Sequence, residues 1–259
     1  MAKSRPAPAP ATKRSPPSAS NRPAPPVVSN RLLASLPAVD RDRLLPTLEV
    51  VPLKLKDLVH KAGERLRFVY FPGGGFLSIV TVLQDGRMVE VATVGSEGAV
   101  GVTTALDHMP MTSASMVQGE SDICYRMTAE TYRREMDRRG EFYELLTRYI
   151  QAHIGMIMQA TACNAVHTVE QRLARWLLMA HDRMATDEFP LTQEFVAMML
   201  GATRPTVSVV AGTLQRAGLI TYHHGRVAIV DRSKLESASC ECYAAATSLL
   251  RDVTARQST

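Results

Sequence analysis

The sequence contains little of what disulfide-bonded or membrane-spanning proteins need. Only four cysteines occur in 259 residues, none of them before Cys124, and their uneven spacing does not fit a disulfide framework. No run of about 18 apolar residues is present, so no transmembrane helix is predicted. The N-terminus also lacks the apolar stretch of a secretory signal, and we therefore expect a protein of the reducing cytoplasm without membrane contact.

Acidic residues are absent from positions 1–39, where six basic residues occur. The net charge of the whole chain is +5, so the remainder is close to neutral, and any affinity for nucleic acid there must come from a local patch. Residues 1–29 are rich in Pro, Ala and Ser, a composition that predicts a disordered basic tail. The tail either adds affinity for DNA or has no role.

Residues 30–137 are predicted to form an antiparallel β-roll preceded by one or two short helices. From about residue 49 the apolar residues alternate with a period of two, which is typical of half-buried strands. Asp85-Gly86 separates two β-rich segments, 76–83 and 88–94, and predicts a hairpin. Many short strands with glycine-bearing turns favour a small roll, which we interpret as a sensor domain.

Two neighbouring rows of apolar residues run along a long helix predicted over 138–166. Each row alternates steps of three and four residues, the pattern of a helix that packs on two sides. One row can face the chain's own roll while the other meets a second copy, although a helix buried within one subunit would show a similar pattern. We favour a dimer helix, whose candidate residues are Tyr149, Ile150, His153 and Ile157.

A helix-turn-helix pattern occupies residues 191–214. Thr192 is placed to cap a first helix, which Gly201 ends with a residue able to adopt positive φ. Thr203 is placed to cap a second helix, and Pro205 falls in its first turn, where a missing N–H is harmless. Two short helices around a glycine turn are the arrangement whose second helix enters the major groove of DNA.

The exposed start of the second helix carries side chains suited to DNA. An arginine there can donate two hydrogen bonds to guanine, and Thr or Val can contact a thymine methyl. Hydroxyls at helix N-termini suit phosphates, and a β-hairpin wing follows with an arginine for the DNA backbone. A winged domain is thus predicted over 167–250, followed by a tail over 251–259; the alternative is a helical hairpin packed for its own sake. The candidate DNA-binding residues are Thr192, Thr203, Arg204, Thr206, Ser208, Val209 and Arg226.

The order of these parts resembles the Crp/Fnr family of bacterial transcription regulators over about residues 30–240. The resemblance is carried by Thr192, Gly201, Thr203 and Arg204, which match the family's capped first helix, its turn glycine and the Ser/Thr-Arg pair that opens the recognition helix. It implies an α+β fold with an N-terminal antiparallel, cyclic-nucleotide-binding-like β-roll, a long dimerisation helix and a C-terminal winged helix-turn-helix. It also implies a homodimer that binds double-stranded DNA and contacts RNA polymerase.

The sequence departs from the family pattern at the positions of its best-known signal and operator. In the family members that bind cAMP, the binding motif resembles Gly-Glu-Leu-Gly followed by Arg-Ser/Thr-Ala. This chain has Ala99 in place of the ribose-binding carboxylate and Thr112 in place of the arginine. A cyclic phosphate buried without that guanidinium would be poorly paired, so cAMP is not expected. Pro205 beside Arg204 likewise argues against the cAMP receptor's operator. A candidate pocket for an unidentified small-molecule effector is predicted at Gly98, Ala99, Gly101, Thr112 and Ser113.

No cofactor and no metal site are predicted. Cys240 and Cys242 are two residues apart, a spacing that does not place two thiols on one helix face, while Cys124 and Cys163 are isolated in the sequence. The paired histidines of the wing turn lack a third ligand nearby. We therefore expect free thiols, since buried cysteines commonly act as small apolar residues.

No catalytic pattern is present either, and we expect a protein that is not an enzyme. The glycines at 73–75 lack the Lys and Ser/Thr of a phosphate-binding loop. The predicted function is that of a homodimeric transcription regulator. The alternative is a small-molecule sensor module whose helix-turn-helix serves as a protein contact, and the salt dependence of DNA binding would separate the two.

Overall fold

The computed structural model of the protein describes residues 28–106, 109–184 and 186–255. The predicted disordered tail therefore lies outside the described residues at positions 1–27. Val28 is buried in the core, although the predicted disordered tail extended to residue 29. The last helix continues to Thr254 with Val253 buried, so the tail predicted from residue 251 begins inside a helix.

The chain runs through two short helices, a set of strands, a long helix and a second α+β unit. The helices are α1 (Arg31–Ser35), α2 (Ala38–Leu44), α3 (Ala129–Asp137), α4 (Glu141–Val166), α5 (Val169–His181), α6 (Gln193–Leu200), α7 (Arg204–Arg216), α8 (Arg232–Ala238) and α9 (Cys242–Thr254). The strands are β1 (Glu49–Leu53), β2 (Leu58–His60), β3 (Phe68–Pro72), β4 (Phe76–Val82), β5 (Met88–Val94), β6 (Ser113–Gly119), β7 (Ser121–Thr128), β8 (Glu188–Pro190), β9 (Ile220–His223) and β10 (Arg226–Ile229). The predicted fold class is therefore confirmed.

Strands β1 to β7 form the predicted roll from two antiparallel sheets. One sheet has the strand order β1-β7-β3 and the other the order β2-β6-β4-β5. The predicted hairpin joins β4 to β5, and Gly86 in its turn has a φ of 81°, which glycine adopts without strain. The two sheets share a small apolar core made of Leu53, Tyr70, Leu77, Val94, Val100, Val117 and Cys124.

Asn30 fastens the N-terminal helices to the roll. Its Oδ1 accepts a hydrogen bond from the backbone N–H of Leu33 and so caps α1. Its Nδ2 donates to the carbonyl oxygens of Pro72 and Gly98, at 2.9 Å each. Because the side chain is fully buried, these partners satisfy polar atoms that water does not reach.

The long helix α4 packs on its own chain along one side. The predicted row that includes Leu145, Tyr149 and Met156 is buried as far as Met156 and again at Cys163, but its last residue, Val166, is exposed. The C-terminal helix α9 lies along α4, and its Leu249 comes so close to Gly155 that an added Cβ would stand 3.3 Å from Leu249 Cδ1. The sequence pattern did not predict this second helix against α4.

Helices α5 to α8 and the sheet β8-β10-β9 form the winged domain. β8 was not predicted, and it extends the predicted β9–β10 hairpin into three strands. The winged domain shares one apolar core with the roll, in which Phe76 and Val80 of β4 pack with Trp176 and Leu177 of α5. Among the described residues, no single helix is long and apolar enough to span a membrane, although α6 and α7 pass that test as a pair bent by 106°.

A buried carboxylate links the roll to the winged domain. The indole N–H of Trp176 donates to Glu90 on β5 at 2.9 Å, and the hydroxyl of Ser78 on β4 donates to the same carboxylate. Burial raises the pKa of Glu90 to about 7, although these hydrogen bonds and the charges of Arg175 and Arg183 act in the opposite direction. The folded chain therefore retains a proton on Glu90 at a pH where the unfolded chain has released it.

This retained proton predicts a loss of stability as the pH rises. The folded state binds more protons than the unfolded state between pH 4.5, the ordinary pKa, and about 7, so the free energy of unfolding falls through that window and stays lower above it. Glu90→Gln keeps an oxygen acceptor without a charge, so it should flatten this slope and stabilise the chain at pH 8 by on the order of 1–3 kcal/mol. Urea unfolding at pH 5, 6, 7 and 8 measures the effect, with Glu64→Gln on the exposed surface as the control. An unchanged slope in Glu90→Gln would contradict the assignment.

Candidate nucleic-acid interface

Local chemistry sets both ends of α6. Thr192 Oγ1 accepts from the backbone N–H of Phe195 at 3.2 Å, and this satisfies one unpaired donor of the first turn. Gly201 ends the helix at a φ of 58°, and its N–H and that of Ala202 return to carbonyls of the last turn. Both features are where the sequence predicted them. The chain then turns by 106° into α7, within the range of a helix-turn-helix.

Helix α7 begins with the predicted cap and proline. Thr203 Oγ1 accepts from the N–H of Thr206 at 3.4 Å and lies 2.8 Å from the Thr206 hydroxyl. Pro205 occupies the first turn without breaking a hydrogen bond. Val207, Ala211 and Leu214 are buried against the rest of the winged domain. The opposite face of the helix is consequently left to solvent.

The residues predicted to read bases all lie on that exposed face. Arg204, Thr206 and Ser208 are exposed in the first half of α7, and Val209 is 67% exposed although it is apolar. The Ser208 hydroxyl donates to Gln193 Oε1 at the start of α6 and so holds the two helices together on this surface. The exposed N-terminus of α7 adds the positive end of a helix dipole.

The wing closes one side of a cleft in front of α7. Tyr222 of β9 donates from its hydroxyl to the carbonyl oxygen of Leu191 at 2.6 Å, which fixes the wing against the start of α6. The cleft is lined by Thr192, Gln193, Glu194, Arg204, Tyr222, His224 and Gly225. Arg226, predicted to contact the DNA backbone, is exposed at this wing but pairs with Glu188 of β8. To contact a phosphate, the Arg226 guanidinium would have to move away from Glu188 or bind both groups at once.

The turn of the helix-turn-helix also touches the roll. Val89 of β5 lies close to Gly201, where an added Cβ would stand 3.6 Å from Val89 Cγ1. Arg87 and Met88 line a shallow groove with Thr203 and Arg204. The β4–β5 hairpin therefore lies directly beside the first turn of α7.

The residues predicted for an effector pocket do not lie in open space. A Cβ at Gly98 would stand 2.4 Å from the Tyr149 hydroxyl, and that hydroxyl donates to the carbonyl oxygen of Ala99 at 3.0 Å. Gly101 has a φ of 90° and is in close contact with Phe68 and His60. Thr112 is exposed, and Ser113 pairs with Thr81 at the start of β6. α4 thus fills the space beside the first part of the predicted pocket.

Among the predicted dimer residues, Tyr149 needs a correction, and the other three stay predictions. Tyr149 is buried within its own chain, and His153 stacks on it with ring centroids 5.6 Å apart. Ile150 is half-buried against the core of the same chain, and Ile157 is half-buried too. The apolar side chains that α4 exposes are instead Ile154 (52% exposed), Met158 (67%) and Val166 (74%). Sequence periodicity could not identify this exposed face, because α9 covers a side of α4 for which the sequence pattern predicted no partner helix.

A cluster of cysteines and one histidine was missed. Cys163, Cys240 and Cys242 are buried, His167 is half-buried beside them, and one ligand atom of each lies within 4.8 Å of the others. The prediction of an isolated Cys163 is therefore wrong. Cys163 and His167 are four residues apart at the end of α4 and share a helix face, a signal that the sequence did contain. We call these four residues the Cys–His cluster.

Comparison with known proteins agrees with this geometry. Residues 171–238 match the family model of the Crp-like helix-turn-helix domain. The transcriptional regulator LdrP of Thermus thermophilus is 28% identical over 199 residues, which cover 70% of this chain and 92% of that protein. Crp-family regulators bind DNA and typically act as dimers.

Solved structures share the fold. A CRP-family transcriptional regulator from Thermus thermophilus has a TM-score of 0.60 at 22% identity, covering 73% of this chain and 95% of that one. A regulator of the crp/fnr family from Eubacterium rectale has a TM-score of 0.63 at 17% identity, covering 80% and 96%. The roll, the long helix and the winged helix-turn-helix together have the fold of these transcription regulators. More particularly, residues 171–238 form a Crp-like helix-turn-helix domain, and the fold around it is similar to that of the Crp/Fnr-type regulators.

Two glycines of the helix-turn-helix should respond in opposite ways to alanine. Gly201→Ala places a Cβ on a left-handed residue and should lower the free energy of unfolding by about 1 kcal/mol. Gly212→Ala lies inside α7, where the new Cβ meets only the mobile end of Arg216, and should raise it by about 0.5–1 kcal/mol. Denaturant unfolding of both variants measures the difference. The same sign for both would contradict the assigned turn geometry.

Proposed function

We propose that this protein is a homodimeric, sequence-specific regulator that places α7 in the major groove of DNA. The observation that carries the proposal is the exposed first half of α7, where Arg204, Thr206, Ser208 and Val209 share one surface beside a capped N-terminus. Arg204 is the base reader, with two donors for a guanine. Thr192 and Thr203, at the two helix starts, bind phosphates and set the register.

The domain organisation proposed for this function follows the predicted division. The roll over 30–137 is the sensor, 138–166 contains the helix that joins two copies, and 167–250 contains the winged domain. The β4–β5 hairpin beside Thr203 and Arg204 supports a coupling between sensor and DNA-binding surface, because a shift of the hairpin changes what surrounds the first turn of α7.

The dimer contact is assigned to the exposed apolar face of α4. Ile154 and Met158 are one helical turn apart and stand in solvent in the single chain, which is unfavourable for large apolar side chains. A second copy of α4 covers them most directly, because a two-fold axis along the helix brings the same face of each copy together. Such a dimer presents two α7 helices to two half-sites.

The signal is proposed to be something other than cAMP. Ala99 offers no carboxylate, Thr112 offers no guanidinium, and the Tyr149 hydroxyl stands against Gly98. A charged cyclic phosphate would find neither its usual partner nor free space there. The competing function, a sensor whose helix-turn-helix binds a protein, predicts no steep salt dependence of DNA binding.

DNA binding is tested by selecting a target site from a random library and measuring affinity against salt. The full chain should prefer one two-fold site, with affinity that falls steeply with salt and does not change when cAMP is added. Arg204→Ala should lose about 1–3 kcal/mol of discrimination between that site and its guanine-substituted variants. Arg65→Ala, an exposed arginine on the roll, is the matched control. The absence of any preferred site at low salt would refute DNA reading, and an unchanged preference in Arg204→Ala would refute the role of that residue.

The dimer face is tested by charge. The double variant Ile154→Asp/Met158→Asp should have the mass of a single chain in light scattering after size exclusion, because two like-charged rows cannot pack together. It should also bind a two-fold site much more weakly, since each half-site then binds on its own. Val39→Asp, at an apolar residue that is 81% exposed on α2, should remain dimeric. A double variant that keeps the wild-type dimer mass would place the interface elsewhere.

A further inference from the structure

The Cys–His cluster lies at the joint between α4 and the winged domain. Cys163 is in the last turn of α4, and His167 is the residue that ends this helix, two positions before α5 begins. Cys240 and Cys242 flank the start of α9, which follows α8 of the winged domain. Two segments more than 70 residues apart in sequence therefore converge on one buried spot.

Two distances within the cluster are those of neighbouring ligands around a single ion, and all four ligand atoms lie within 4.8 Å of one another. The sulfurs of Cys163 and Cys240 are 3.5 Å apart, and Cys242 Sγ is 3.6 Å from His167 Nδ1. A tetrahedral zinc ion with Zn–S of about 2.3 Å and Zn–N of about 2.0 Å has neighbouring ligand atoms about 3.5–3.8 Å apart. A disulfide between Cys163 and Cys240 would instead need about 2.05 Å and would leave Cys242 and His167 without a use.

The surroundings orient the ligands as second-layer groups do in metal sites. His167 turns Nδ1 toward the thiol, and its Nε2 lies 3.2 Å from the carboxylate of Glu241, which fixes the ring and its tautomer. Gln159 Nε2 donates to Cys242 Sγ at 3.1 Å, as an amide does to a metal-bound thiolate. Neither contact is needed by a set of inert thiols.

The charge around the cluster also fits a bound ion. Arg172 and Arg175 lie within electrostatic range of Cys163, and neither forms a salt bridge among the residues that the structure describes. Three thiolates, one neutral imidazole and Zn²⁺ have a net charge of about −1, which these guanidiniums offset. Soft sulfur ligands select zinc over magnesium or calcium.

We propose that Cys163, His167, Cys240 and Cys242 form a tetrahedral site for one zinc-class divalent ion. Binding displaces the three thiol protons to solvent, and His167 binds through Nδ1 as a neutral imidazole. The ion ties the end of α4 to the start of α9 and so fixes the joint at which the winged domain leaves the long helix. This inference does not depend on the proposed DNA binding.

The metal content of the untagged, full-length chain, purified under reducing conditions, tests the site. Native mass spectrometry and elemental analysis should find about one zinc ion per chain, and Co²⁺ substitution should give thiolate charge-transfer bands and the visible bands of tetrahedral cobalt. Cys240→Ser should lose the ion, whereas Cys124→Ser, at a buried cysteine of β7 outside the cluster, should retain it.

A second variant keeps the test decisive if the cysteine variant fails to fold. Glu241 is 77% exposed, so Glu241→Gln should fold normally and yet bind zinc about 10–100-fold more weakly, because the imidazole loses its carboxylate partner. Glu130→Gln on exposed α3 is the matched control. Three results would each overturn the proposal. The chain could contain no metal and give no cobalt bands, or its mass could be lower by two hydrogens that a reductant restores, which indicates a disulfide. The third result is bound iron together with sulfide, which indicates an iron–sulfur cluster.

Discussion

The contact of Trp176 with the roll is the interaction on which the arrangement of the chain depends. This residue, the single tryptophan of the sequence, lies between Phe76 of β4 and Phe195 of α6, with ring centroids 6.1 Å and 6.3 Å away. Its N–H donates to Glu90 of β5, so one side chain joins a sheet of the roll to α5 and α6, on which α7 packs. Removing it would leave a large cavity and would take one of its two donors from the Glu90 carboxylate at the same point, each of which costs about a few kcal/mol.

The contact between the roll and the winged domain contains two carboxylates whose pKa values shift in opposite directions. Burial raises the pKa of both, but Glu97 pairs with Arg183 at 2.6 Å and accepts from the backbone N–H of Gly95, and these partners lower its pKa below the ordinary value. Glu90 has only neutral donors at hydrogen-bond distance, and because they do not offset the effect of burial, its pKa rises. One link between roll and winged domain is therefore ionic at neutral pH, whereas the other responds to pH.

The C-terminal helix α9 gives the chain its second long-range constraint. It packs along α4 and carries Cys242 in its first turn beside His167. A metal ion there would act together with Trp176, because one contact lies just before the start of α5 and the other at its middle. The apolar contact and the coordination site would then add to the carboxylate links in setting the position of the winged domain, and a change at either can alter how α7 is presented.

The sequence by itself determined the parts of the helix-turn-helix: Thr192, Gly201, Thr203 and Pro205 act through their own backbone neighbours, and such local signals do not depend on the rest of the fold. It also determined the hairpin at Asp85-Gly86 and the existence of the long helix. Only the tertiary structure decided which face of α4 is exposed, because that depends on α9, and which thiols meet, because Cys163 and Cys240 are 77 residues apart. Periodicity records that a side chain is buried but not what buries it, and long-range partners are chosen by packing.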